Sequence, residues 1–192
     1  MKHSELKKIV LIGASTGGPG QIEKIVSSLP KLHNTTVVIA QHMVKGFIHS
    51  FANRLKNNSN NFIEVVQNNQ TLHNAHIYLC EGKTQLEKNG YQLLFTHELA
   101  SSNSFNPDIN ALFNSFLPIC NNITILSIIL TGIGDDGVDA CKTLSLNGVT
   151  CITESSKSAI VDGMPNRARL IVPNIQIEDI NTIINRIREF CE

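Results

Sequence analysis

The chain has 192 residues, 42% of them hydrophobic, which is enough for a full core in a single α/β domain over residues 1–192. The chain has 16 lysine and arginine residues and 16 aspartate and glutamate residues. Because these charges balance, the chain as a whole is not attracted electrostatically to nucleic acid or to an anionic membrane. The N-terminal residues lack the apolar stretch of a signal peptide, and no run approaches the ~18 apolar residues of a membrane span. We therefore expect a cytoplasmic protein that neither binds nucleic acid nor inserts into a membrane.

The five cysteines agree with a reducing compartment. They are odd in number, show no C-x-x-C spacing and mostly lie within apolar runs. These properties favour buried, reduced thiols over disulfides or a metal site.

Strand and helix patterns alternate along the chain. Continuous or β-branched apolar runs predict strands at residues 8–12, 35–41, 63–66, 77–80, 123–130 and 149–153. Apolar stripes at helical spacing predict helices at residues 20–29, 47–56, 108–116, 138–146, 165–170 and 177–190. Asn89 and Gly90 predict the turn of a two-residue hairpin. Together the patterns predict an α/β fold, a single doubly wound, mostly parallel sheet flanked by helices, with an antiparallel hairpin near residues 85–95.

Three polar residues lie in the segments that follow predicted strands. Ser15 lies in residues 13–18, whose sequence GASTGG contains the G-x-S-x-G pattern of a sharp strand-to-helix turn. His42 follows the next strand, and Asp136 follows the most apolar run of the chain. Because the carboxyl ends of parallel strands meet at one crevice, we expect the three side chains to converge there.

A glycine-rich turn after a first strand also occurs at nucleotide sites, but the deciding positions differ here. The dinucleotide fingerprint needs glycine where this chain has Ser15, and an acid where the second strand ends in Gln41 and His42. The phosphate-binding loop of nucleotide hydrolases requires lysine after its last glycine, and Pro19 follows Gly18. These differences argue against both nucleotide interpretations.

The three residues instead match the parts of a serine-based hydrolase. A serine hydroxyl is a weak nucleophile until a base takes its proton, and that base must be held in the right tautomer by a third group. In this interpretation Ser15 attacks, His42 carries the proton and Asp136 orients His42.

The tetrahedral oxyanion also needs donors, and backbone N–H groups at the start of a helix are suited to that task. Thr16 and Gly17 are candidates for this role, together with the glycine turn around Gly134 in the facing loop. Simpler roles stay open beside the catalytic ones. Ser15 can cap the helix that follows it, and we expect Asp135 to serve as a turn or helix-cap residue.

Several short segments carry a resemblance to one known family. They are residues 13–18 (GASTGG), 41–43 (QHM), 46–55, 77–82, 129–137 (ILTGIGDDG), 154–156 and 163–165. In order and spacing they resemble the catalytic domain of the chemotaxis protein-glutamate methylesterases (CheB), from about residue 8 to residue 190.

The resemblance implies an activity and a partner. The activity is hydrolysis of γ-glutamyl methyl esters, with deamidation of glutamines, and the partners are the cytoplasmic helices of chemoreceptors. The family's nucleophile, histidine and aspartate fall on Ser15, His42 and Asp136, and no metal or organic cofactor is implied. A serine hydrolase of a small soluble ester on the same fold, and an inactive binding module, are the alternatives.

The chain also departs from the family pattern. Asp135 stands where the family usually has asparagine, and residues 106–110 (NPDIN) stand where it usually has Arg-Pro-Ser-Val-Asp. Family members commonly carry an N-terminal receiver domain, and only about seven residues precede the first predicted strand. We therefore expect a stand-alone catalytic domain that is active without phosphorylation.

Overall fold

A parallel sheet forms the centre of the structure, a computed structural model that describes residues 6–44, 46–98 and 106–192. Within these residues the strands are β1 (Lys8–Ala14), β2 (Thr35–Gln41), β3 (Phe62–Val65), β4 (Gln70–Thr71), β5 (His76–Leu79), β6 (Lys83–Asn89), β7 (Gln92–Glu98), β8 (Thr124–Ile129), β9 (Thr150–Glu154) and β10 (Gln176–Glu178). The α-helices are α1 (Gly18–Ser28), α2 (Phe47–Lys56), α3 (Ile109–Ser115), α4 (Val138–Leu146), α5 (Gly163–Ile171) and α6 (Ile180–Cys191). Seven strands form the large sheet in the order β10-β9-β8-β1-β2-β5-β3, and all neighbouring pairs are parallel.

Helices cover both faces of this sheet, which explains why the central strands are apolar throughout. Alternate residues of a strand point to opposite faces. Ile9 and Leu11 of β1 pack in the cluster that includes apolar residues of α3, α4 and α5. Val10 and Ile12 pack in the opposite cluster, with residues of α1, α2 and α6. The predicted doubly wound α/β architecture is confirmed.

The hairpin formed by β6 and β7 belongs to a separate antiparallel sheet of three strands, in the order β4-β7-β6. Its third strand, β4, has only two residues and was not predicted from the sequence. The turn itself is displaced by one residue from the prediction. Asn89 pairs with Gln92, so the two loop residues are Gly90 and Tyr91 rather than Asn89 and Gly90. Gly90 has a φ of 61°, the positive value that the first loop residue of such hairpin turns adopts.

The C-terminal helix begins later than the predicted residue 177. Residues 176–178 form the edge strand β10, which pairs with β9. Asp179 then caps α6, because its side chain accepts hydrogen bonds from the amides of Asn181 (2.9 Å) and Thr182 (3.1 Å). The apolar Ile177, predicted to start the helix, is instead an exposed residue of the edge strand.

The order of the strands fixes where a ligand can bind. The chain runs from β1 to β2, then to β3 at the edge of the sheet and back to β5 between β2 and β3, and later continues on the other side of β1 with β8. The carboxyl ends of β1 and β8 therefore border the point at which the winding reverses. Ligands of open α/β sheets bind in this crevice.

All five cysteines are free thiols, four of them buried and Cys120 partly exposed. Among the described residues, none of the helices combines the length and the apolar character that crossing a membrane requires.

Candidate active site

Ser15 lies in the turn between β1 and α1. Its amide donates to the carbonyl of Thr131, at the end of β8, at 3.0 Å. Its own carbonyl accepts the amide of Gly18 at 2.9 Å, which closes the turn. Gly17 precedes the helix with a φ of 84°, a conformation that favours glycine. The turn therefore holds Ser15 at the point where the winding of the sheet reverses.

His42 lies in the adjacent turn, directly after β2. Its amide donates to the carbonyl of Ala14 at 2.9 Å, so its main chain is fixed against the end of β1. The side-chain amide of Gln41 donates to the carbonyls of Ser15 (2.8 Å) and His42 (2.9 Å). This single buried side chain ties the two turns together.

Asp136 completes the contact that the sequence predicted. Its Oδ2 lies 2.8 Å from Nε2 of His42, and the aspartate side chain is only 3% exposed. The same oxygen accepts the amide of Ile109 at 2.9 Å, and Oδ1 accepts the amide of Asn110 at 3.0 Å. The carboxylate thus receives three donors, two of them from the first turn of α3.

These donors decide the protonation of Asp136. Burial by itself raises the pKa of the carboxyl, but the hydrogen bonds from His42 and from the amides of Ile109 and Asn110 outweigh burial and lower the pKa. The carboxylate is therefore ionised at neutral pH and can only accept. It follows that Nε2 of His42 carries the hydrogen and that Nδ1 is the ring nitrogen with the lone pair.

The neighbouring Asp135 occupies a different environment. Its side chain is exposed, and its carbonyl accepts the amide of Val138 at 3.1 Å in the turn before α4. This geometry agrees with the turn role expected for Asp135, and Asp136 is the carboxylate that contacts His42.

The three oxyanion candidates lie on both sides of the crevice. Thr16 and Gly17 precede α1, and the carbonyl of Thr16 accepts the hydroxyl of Thr131 at 2.9 Å. Gly134 lies exposed in the loop after β8, with a φ of 85°. Their role as donors stays a prediction.

The sequence and the fold of this chain are similar to those of known proteins. The family model described as CheB methylesterase matches residues 10–187. The chain belongs to the CheB methylesterase family. A solved structure, the CheB methylesterase catalytic domain of Thermotoga maritima, has a TM-score of 0.85 and 25% sequence identity to this chain, covering 95% of this chain and 98% of that one.

Individual CheB-family relatives are similar over most of this chain. The protein-glutamate methylesterase/protein-glutamine glutaminase 2 of Carboxydothermus hydrogenoformans is 33% identical over 188 residues, covering 92% of this chain and 53% of the relative. The protein-glutamate methylesterase/protein-glutamine glutaminase of Oceanobacillus iheyensis is 34% identical over 186 residues, covering 93% of this chain and 53% of the relative. The chain thus spans about half the length of the curated relatives it matches.

The loop in which this chain departs from the CheB pattern borders the candidate site. The carbonyl of Asn106 accepts the amide of Met43 at 2.9 Å, and its Oδ1 accepts the amide of Gly82 at 2.7 Å. Asp108 caps α3 by accepting the amide of Ala111 at 2.7 Å. Asn106 therefore braces the histidine turn, and Asp108 fixes the start of the helix that binds Asp136.

Other residues of the site were not identified from the sequence. No role was predicted for Gln41, although its side chain bonds to both turns. The amides of Ile109 and Asn110 bind Asp136 from a helix about 27 residues away in sequence. Asp108, the first residue of the predicted helix 108–116, is an acidic residue of the type that caps helices and was a usable signal for where the helix begins.

Proposed function

We propose that this chain hydrolyses γ-glutamyl methyl esters, and deamidates glutamines, on the cytoplasmic helices of chemoreceptors. The observation that carries the proposal is the 2.8 Å contact between Nε2 of His42 and Oδ2 of Asp136, at the reversal of the sheet where Ser15 also lies. The names of the similar relatives describe the same two activities. Because such receptor helices lie in the cytoplasm, the proposal includes a cytoplasmic location.

The reaction begins with attack of Ser15 Oγ on the side-chain carbonyl carbon. The hydroxyl proton passes to Nδ1 of His42, and the resulting imidazolium is stabilised by the ionised Asp136. The imidazolium then returns the proton to the departing methoxide or amide group, so that methanol or ammonia leaves and an acyl-serine remains. Water, activated by the same histidine, attacks the acyl-serine and releases a glutamate side chain and free Ser15.

Exposed apolar residues around the crevice support a protein substrate. Val44 (75% exposed) follows the histidine turn, and Ile133 (64%) lies in the loop after β8. Ile160 (67%) lies beside Gly17, where a methyl group added to the glycine would come within 2.7 Å of its Cβ. An apolar rim around a polar site is typical of a surface that contacts another protein.

Methanol release from methylated receptor fragments tests the proposal. We expect release by the parent protein and a loss of several orders of magnitude in Ser15→Ala, because the attacking atom is removed. Ser27→Ala is a matched control on the exposed side of α1, where the hydroxyl bonds only to the carbonyl of Lys24. A Ser15→Ala rate within about tenfold of the parent would contradict the nucleophile assignment. Hydrolysis of small esters without methanol release would instead favour a small-ester hydrolase.

A further inference from the structure

Glu154 is a fully buried carboxylate that takes no part in the reaction described above. It lies at the carboxyl end of β9, with no exposed surface. Oε1 accepts the side-chain amide of Gln21 at 2.7 Å and the hydroxyl of Ser158 at 2.9 Å. Oε2 accepts the amide of Thr131 at 3.0 Å. Burying a carboxylate costs free energy unless such donors compensate it, so the position demands an explanation.

One of these donors leads directly to the nucleophile turn. Thr131, whose amide donates to Glu154, accepts the amide of Ser15 on its carbonyl at 3.0 Å. Its hydroxyl donates to the carbonyl of Thr16 at 2.9 Å and accepts the amide of Val161 at 2.8 Å. Thr131 therefore transmits the position of Glu154 to both Ser15 and the residue after it.

A second donor reaches the same turn from the helix side. Gln21 lies in the first turn of α1, directly after the glycines that follow Ser15. Its side chain is 2% exposed and donates to Glu154, while its Oε1 accepts Nζ of Lys24 at 3.2 Å. Glu154 thus fixes the nucleophile turn at both of its ends, through β8 and through α1.

We propose that Glu154 is a positioning residue, which holds the turn of Ser15 in its reactive geometry through Thr131 and Gln21 without contacting the substrate. The proposal rests on the proposed role of Ser15 as the nucleophile. It adds a group on which the rate of reaction of Ser15 depends. An acceptor with two oxygens is needed, because Gln21 and Thr131 both donate to it. Misplacement of a reacting group by about 1 Å can cost on the order of a hundredfold in rate.

Glu154→Gln tests this role while changing the volume little. The amide nitrogen of glutamine cannot accept a hydrogen bond. In place of one carboxylate oxygen, it would face another donor, either the amide of Thr131 or the side-chain amide of Gln21. We expect the rate constant for phosphonylation of Ser15 by a fluorophosphonate to fall by about tenfold to a hundredfold. With a small p-nitrophenyl ester, kcat should fall and KM should change little. Ser158→Ala is the control. The hydroxyl of Ser158 donates to the same Oε1 and accepts the amide of Ile180 at the start of α6, and among the described residues it makes no hydrogen bond to Thr131. The Ser15 labelling rate of this variant should stay within about twofold of the parent.

Exchange of the two side chains provides a rescue. In the double variant Gln21→Glu with Glu154→Gln, the new amide at 154 can accept from Thr131 and donate to the new carboxylate at 21, which lies beside Lys24. We expect Ser15 labelling to return to within about threefold of the parent rate, whereas Gln21→Glu alone places two carboxylates together and should slow it.

Each result decides for or against the proposal. No labelling of Ser15 in the parent would overturn the nucleophile assignment and the positioning role with it. Normal labelling in the parent and an equal rate in a folded Glu154→Gln, or no recovery in a folded double variant, would overturn the positioning role alone. Should Glu154→Gln not fold, Gln21→Met decides instead, since it changes the volume little, keeps the carboxylate and removes the side-chain amide through which Glu154 holds α1. An unchanged labelling rate in that variant would overturn the proposal.

Discussion

The oxygens of Asp136 accept hydrogen bonds from His42 and from the first turn of α3 at the same time. Oδ2 faces both Nε2 of His42 and the amide of Ile109, while Oδ1 faces the amide of Asn110. All three neighbours donate, so the position requires a group that accepts on both atoms. An asparagine offers one acceptor and one pair of donors, and cannot satisfy the same set.

We therefore predict that Asp136→Asn lowers kcat for ester hydrolysis by about 10⁴, because an amide facing His42 favours the wrong tautomer and cannot balance an imidazolium. Asp135→Asn is the matched control one residue away. Asp135 is exposed and contributes only a main-chain bond to the turn, so kcat should change less than about twofold. Steady-state rates of both purified variants check this, and a larger loss in Asp135→Asn would reverse the two assignments.

The turn between β1 and α1 depends on the close approach of the Gln41 and Ala14 side chains to Gly18. A methyl group at Gly18 would overlap Oε1 of Gln41 and lie 2.7 Å from Cβ of Ala14. Displacement of Gln41 would release the carbonyls that it holds, those of Ser15 and His42. This glycine is therefore required by packing within the element.

Gly18→Ala should destabilise the protein by about 1–3 kcal/mol and lower kcat by about tenfold or more. Gly20→Ala lies two residues further along α1, where an added methyl group meets nothing within 4 Å. That variant should be neutral or more stable by up to ~1 kcal/mol, with normal kcat. Urea unfolding and ester hydrolysis on both proteins provide the measurement. Equal behaviour of the two variants would contradict the packing argument.

Elements with a strong local pattern were predicted within a few residues. The strand Thr35–Gln41 and the helix Phe47–Lys56 have the predicted bounds, because a β-branched run and an amphipathic stripe are local properties. The strands Gln70–Thr71 and Gln176–Glu178 escaped prediction, since two or three residues carry no periodicity and their state depends on distant partners.

The candidate site likewise has residues that a local sequence pattern predicts and residues whose contacts depend on distant parts of the chain. Ser15, His42 and Asp136 were found because each follows an apolar strand, and parallel strands bring their ends together. Glu154 ends the strand β9, yet two of its three donors, Gln21 and Thr131, lie more than 20 residues away in sequence. Only the folded chain reveals that these contacts converge on the turn of Ser15.

Two buried carboxylates give the stability of the whole molecule opposite dependences on pH. Burial raises the pKa of Glu154 despite the hydrogen bonds from Thr131, Ser158 and Gln21. A raised folded-state pKa means that the native state binds the proton more tightly, so this contribution to stability is present at low pH and is lost as pH rises. The lowered pKa of Asp136 acts in the other direction, and its contribution is lost as pH falls.

The contribution of Glu154 to the pH dependence of stability can be isolated by comparing the parent with Glu154→Gln. We predict that the free energy of unfolding of the parent, minus that of Glu154→Gln, decreases as pH rises above the unfolded-state pKa of about 4.3. The terms of Asp136 are common to both proteins and cancel. Urea unfolding from pH 4 to pH 8 measures the difference, and a difference that rises or stays constant would contradict the direction of the shift.

The bonds from the first turn of α3 to Asp136 also make the state of this carboxylate observable in the absence of any ester. The amides of Ile109 and Asn110 are protected from solvent deuterium for as long as the carboxylate accepts them. In Asp136→Asn at least one of these amides loses its acceptor, so its deuterium exchange should accelerate, whereas Ser15→Ala and Asp135→Asn should leave both rates unchanged. Two backbone protons thus report whether the carboxylate beside His42 is in place, before a substrate is ever added.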